Sequence, residues 1–194
     1  DGSLIAGAGT ESVLRLWNGR TGQMVQTWNP GGGHERTRFC LSPMGNRLAS
    51  ASVVRGKPAK FKVRDVESAR EVSAFEGHVD VIGVGLSPNG KILASASLNT
   101  TMKIWDADTG VETQQFSSGT KRVFSALCFH PDGHLLATAG GQDAVEVWDV
   151  KTGQVAFRLH LPMVTGNFVT SVCFSPDGKL LAAGTVTADA LSNE

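Results

Sequence analysis

The sequence contains no tyrosine, only three cysteines, and no run of apolar residues approaching the roughly 18 that a membrane helix needs. A spanning helix is therefore excluded, and no basic stretch leading into an apolar run opens the sequence as a secretory leader would. Eighteen basic residues meet eighteen acidic ones, so no overall field draws in nucleic acid or an anionic bilayer. Cys40, Cys128 and Cys173 are odd in number and form no Cys-x-x-Cys unit. A disulfide framework and a structural zinc site are thus not expected, and a reducing, cytoplasmic setting is.

What is present is a repeat. A turn signature recurs as Asp1-Gly2, LSPMG at 41–45, LSPNG at 86–90, FHPDG at 129–133 and FSPDG at 174–178. Its glycines fall at 2, 45, 90, 133 and 178, in steps of 43, 45, 43 and 45. Small-residue apolar runs follow the turns (LIAGAG, RLASAS, ILASAS, LLATAG, LLAAGT), then alternating segments ending in RLWN, KVRD, KIWD and EVWD. Short pieces with period-two alternation, bounded by Gly, Pro, Asn, Asp and Ser, read as antiparallel strands joined by tight turns. No stretch has a helical period. The expected fold is all-β, with repeats over 2–44, 45–89, 90–132, 133–177 and a partial one over 178–194.

Gly77-His78 with Trp105-Asp106 in one repeat, Gly33-His34 in another, and Trp148-Asp149 and Trp17-Asn18 in two more make the chain resemble the WD-repeat family of β-propellers. The resemblance covers essentially the whole chain and implies four-stranded antiparallel blades, lettered a (inner) to d (outer). It predicts three complete blades with partial ones at both ends. The first has b, c and d near 3–9, 13–18 and 23–28. Inner strands follow near 36–41, 80–86, 123–129 and 168–174. About four and a half repeats imply part of a larger propeller, whose open ends further blades or self-association would cover.

In the family, a histidine, a Ser or Thr on strand b, an Asp in the b–c turn and the Trp of strand c form a hydrogen-bonded tetrad. The matching residues are His78, Ser95, Asn99 and Trp105. Other repeats depart further: Arg64 stands where tryptophan is expected, Thr120 where histidine is, and Ala69 replaces the glycine of the c–d turn. A b–c loop about four residues longer is expected at VVRGKPAK, 53–60.

Candidate chemistry is sparse. His130-Pro131-Asp132-Gly133-His134 resembles a ligand pair, but alignment with Ser42, Ser87 and Ser175 reads it as a solvated turn. The three cysteines share one repeat position on strand a, held by Gly85 in the remaining repeat, and are expected to serve packing. The inner strands read TRFCL, VIGVGL, VFSALCF and VTSVCF, without the Asp, Glu or His that acid–base chemistry needs. No catalytic, metal or cofactor residue is assigned.

The d–a and b–c loops share one end, where recognition residues collect on a rigid scaffold. They would present Arg36, Arg55, Lys57, Asp80, Lys121, Arg122, Gln142 and Phe168, with His34, Glu35 and Asn99. The lean is basic, and the insertion is expected to lift Arg55 and Lys57 off the blade. The expected function is a non-catalytic scaffold binding protein segments, acidic ones in particular, on this face. The alternative is a hydrolase- or lyase-like propeller enzyme whose catalytic residues lie in blades absent from this segment. Nucleic acid is disfavoured because no aromatic residues interleave the basic ones.

Overall fold

The structure is a computed structural model that describes residues 3–9, 13–29, 36–117, 124–140, 144–161 and 167–187. Among them there is no helix, and seventeen strands form five antiparallel sheets. Blade one comprises β1 (Leu4–Ala8), β2 (Leu14–Asn18) and β3 (Met24–Trp28). Blade two comprises β4 (Arg36–Leu41), β5 (Arg47–Val53), β6 (Pro58–Asp65) and β7 (Glu71–Val79), and blade three β8 (Val81–Leu86), β9 (Ile92–Ser97), β10 (Thr101–Asp106) and β11 (Glu112–Ser117). Blade four is β12 (Phe124–Phe129), β13 (Leu135–Gly140), β14 (Ala144–Asp149) and β15 (Gln154–His160), and blade five pairs β16 (Asn167–Phe174) with β17 (Leu181–Thr187). The blades stand in chain order, β4 beside β8, β8 beside β12 and β12 beside β16, and among the described residues they do not close into a ring.

The core lies between blades rather than inside any one. Strands β5, β9 and β13 are buried on both faces, which is why they read as unbroken small-residue runs instead of alternating with polar side chains. In β5, Leu48 packs toward Leu14, Leu16 and Trp28 of blade one, while Ala49 and Ala51 face Val81, Val84 and Leu86 of blade three. In β9, Leu93 joins that same cluster while Ala94 and Ala96 join Phe124, Leu136 and Trp148 of blade four. The alanines keep the sheets close, and the alternate positions (Ser50, Ser95, Thr138) carry hydroxyls into an otherwise apolar wall.

An aromatic on strand d reaches the next blade. Phe75 lies 5.2 Å, ring centre to ring centre, from Trp105, and Phe116 stacks on Trp148 at 6.0 Å. Each also presses on the next blade's c–d turn. A Cβ at Gly110 (φ +73°) would meet Phe75 at 2.5 Å, and one at Gly153 (φ +69°) would collide with Phe116. Both the left-handed backbone and the close approach demand glycine there. Ala69 takes the equivalent left-handed conformation in blade two with φ +59°.

One expectation needs correcting. The 53–60 segment is not a long loop: β5 continues to Val53, β6 begins at Pro58, and a tight turn closes over 54–57 with Lys57 N–H donating to Val54 O at 3.1 Å. The insertion lengthens the hairpin, and proline is tolerated because it is the first residue of its strand. The extra length of β6 gives β7 new partners, Pro58 for Val79 and Ala59 for Gly77. Gly77 and His78 therefore lie within the end of strand d, and Asp80 alone links β7 to β8.

Candidate functional site

The corner between blades two and three at the loop end is built by four elements: the start of β4, the 54–57 turn, the Asp80 link and the 98–100 turn. A one-residue link has to turn sharply, and His78 (φ +49°) and Asp80 (φ +51°) both take left-handed backbone. Hydrogen bonds hold the link. Asp80 Oδ1 accepts from Gly56 N–H at 2.7 Å, Asp80 O accepts from Leu98 N–H at 3.2 Å, and Ser97 Oγ donates to Val79 O at 2.6 Å. The d–a link and both b–c turns thus meet at one end, while the a–b and c–d turns meet at the other through Val66 N–H to Asn46 O, Ala107 N–H to Lys91 O and Val150 N–H to His134 O.

Beneath the link runs a hydrogen-bonded chain. Trp105 Nε1–H donates to Ser95 Oγ at 2.9 Å, and Ser95 Oγ lies 2.7 Å from His78 Nδ1. His78 Nε2 lies 2.9 Å from Thr101 Oγ1, whose hydroxyl donates to Asn99 Oδ1. The indole can only donate and the Asn99 oxygen only accept. Each hydroxyl has one proton, so the chain runs in one direction and His78 carries its proton on Nε2. Burial disfavours a second proton, and the Lys103 ammonium repels it, although Glu112 partly offsets that repulsion. His78 is accordingly held at about 4, a neutral imidazole at physiological pH. Asn99 joins one bond further along than spacing implies, through Thr101, which spacing did not single out. Gly77 is required beside this chain because a Cβ there would meet the Trp105 ring at 2.5 Å. In blade four the Trp148 Nε1–H to Thr138 Oγ1 bond is made at 2.9 Å, and the Thr138 hydroxyl donates to Glu146 O at 3.3 Å; Thr120 and Gln142 lie outside the described residues.

Above the link opens a cavity of about 380 Å³. Arg36 and Arg38 from β4, Arg55 from the turn and Asp80 are its charged lining residues; Val53, Val54, Val81, Ile82 and Leu98 are the apolar ones. Among the expected recognition residues, Arg36, Arg55 and Asp80 come together here. Lys57 is exposed in the same turn but does not line the cavity. Lys121, Arg122 and Gln142 lie outside the described residues, as does the side chain of Phe168. Arg38 and the apolar wall were missed. The signal for Arg38 was the alternation of TRFCL, which puts Arg36, Arg38 and Cys40 on one face of β4.

His130 is not simply solvated: its ring stands edge-on to Phe174 at 4.9 Å and its Nε2 lies 3.2 Å from Gly178 O, tying blade four to blade five. Burial pushes the Cys40 thiol up to about 12 and raises that of Cys128, the opposite of activation. Among the described residues no three His, Cys, Asp or Glu side chains converge as metal ligands, and no helix is long and apolar enough to cross a membrane.

The family model "WD domain, G-beta repeat" matches residues 69–106, 110–149 and 156–190, more than half of the chain. The chain belongs to the WD-repeat family. Two WD-repeat relatives are the target of rapamycin complex subunit wat1 of Schizosaccharomyces pombe, 28% identical over 106 residues, and a ribosome biogenesis protein WDR12 homolog of Chlamydomonas reinhardtii, 28% identical over 120. The first match covers 53% of this chain and 32% of the relative, the second 57% and 26%. This WD-repeat chain thus spans about a third or less of the relatives it matches.

Proposed function

We propose that the chain is a non-catalytic interaction module that binds protein segments, acidic ones in particular, at the loop end of its blades. The observation that carries this reading is the gathering of Arg36, Arg38 and Arg55 against the single carboxylate of Asp80 around one cavity. Lys57 stands beside them, and Lys121 and Arg122 add to the basic lean of the loop segments in the sequence. Arg36 and Arg38 stand on β4 and Arg55 in a tight turn tied to Asp80, so the backbone of the site is ordered in advance and the ordering cost of capture falls on the partner. Two relatives named for a multisubunit complex and for ribosome biogenesis support an assembly role. Three free thiols support a reducing, cytoplasmic setting.

The test is affinity capture of partners with the full-length protein, comparing wild type with an Arg36→Glu, Arg55→Glu double variant. Capture should weaken and its salt dependence flatten, because reversing two rim charges removes the long-range attraction that salt screens. Equal capture with equal salt dependence would refute the reading.

A further inference from the structure

We infer that the cavity between blades two and three is a pocket for an oxyanionic side chain with an aliphatic neighbour, and that Arg38 selects the charge. This deepens the reading of the loop end as a peptide-binding surface and rests on it. Arg38 alternates with Arg36 and Cys40 along β4, and Cys40 packs into the cluster shared with β8, so this face of β4 looks toward blade three. Arg38 lines the cavity, yet its Nε is shielded from water and has no hydrogen-bond partner. A cation partly withdrawn from water and without an ion partner is costly, and an anionic group seated in the cavity would offset that cost through its charge.

The surroundings fit the same occupant. Neither Arg36 nor Arg55 makes an ion pair among the described residues, and the Asp80 carboxylate is already engaged by Gly56 N–H. Three guanidinium groups thus face one committed carboxylate, and planar forks of this kind match carboxylate or phosphate oxygens two at a time. Val53, Val54, Val81, Ile82 and Leu98 complete the lining, with Leu98 52% exposed. About 380 Å³ is at the small end of ligand pockets and suits one or two side chains of a peptide rather than a large cofactor. Carboxylate and phosphate share the chemistry; the source is separated by experiment.

The full chain is titrated, with backbone amide NMR read at Val81 and Leu98, against three capped tripeptides: Leu-Glu-Leu, the same with phosphoserine at the centre, and the same with glutamine. Saturable shifts are expected with the glutamate or phosphoserine peptide, the tighter of the two naming the source. The glutamine peptide should bind at least about tenfold more weakly, the loss of one charge-assisted contact. Arg38→Gln should remove the preference. Arg55→Gln, at an exposed turn position where folding is not at stake, should weaken binding severalfold. Equal binding of all three peptides would overturn the oxyanion pocket while leaving peptide binding at the loop end standing. No saturable shift with any of them, in a folded protein, would overturn the pocket outright.

Discussion

Lowering the pH should unfold this protein through His78, and the size of the effect follows from its surroundings. An unfolded histidine takes up its proton near pH 6.5, whereas His78 resists protonation down to about 4 because it is 5% exposed and lies near Lys103. Between those values the unfolded chain binds a proton that the folded chain refuses, so stability falls as pH falls. The contribution is fully present above 6.5 and is lost progressively on approach to 4. A difference of about 2.5 units at 1.36 kcal/mol each amounts to about 3 kcal/mol, of which about 2.5 is lost between pH 7.5 and 4.5. Urea unfolding followed by tryptophan fluorescence at half-unit pH steps measures this. Carboxylates such as Asp106, held below the usual range by the Thr109 N–H and hydroxyl, add their own loss only nearer their ordinary value. A His78→Gln variant isolates the imidazole, since it should be less stable at pH 7.5 yet lose about 2–3 kcal/mol less on acidification. Parallel pH profiles for the two proteins would refute the reasoning, as would an imidazole titrating near 6.5 in the folded state.

Thr101→Val leaves the His78 Nε2–H without an acceptor and removes the hydroxyl link to Asn99, which keeps its bond from the position-101 backbone N–H, and should cost about 1–3 kcal/mol in urea unfolding. Ala69→Gly should stabilise by about 0.5–1 kcal/mol, because alanine is strained at φ +59°. Gly110→Ala should cost about 2–4 kcal/mol, combining φ +73° with the contact against Phe75. Gly22→Ala, with φ +69° but nothing within 4 Å, should cost only about 1–2, so the difference between the two variants reports the Phe75 contact.

The strands and most turns were legible because their signals are local. Alternation in KIWD and EVWD, small residues in ILASAS and LLATAG, and glycine where φ is positive each depend on a few neighbouring residues. The extension of β6 and β7 was not legible: Pro58 looks like a loop residue until its place at the head of a strand is known. Thr101 escaped because its hydroxyl matters only once the histidine above it is placed. The cavity was half legible, since Arg36, Arg55 and Asp80 can be assigned to one end from the repeat register. Arg38 could not, because an inner-strand arginine acquires meaning only when β8 is set against β4. His130 became an interblade tie for the same reason, through Phe174 and Gly178 in a different blade.

The central claim is that partners are bound at the loop end, beside the arginine cavity. Site-specific photo-crosslinking tests it most directly, with the reactive side chain placed at position 55 in the 54–57 turn or at position 89 in the turn at the opposite end, in the full-length protein within its native extract. Specific protein adducts should form from position 55, diminish when Arg36 and Arg38 are changed to glutamine, and be absent from position 89. Adducts of equal yield from both ends, or adducts from position 89 alone, would contradict it.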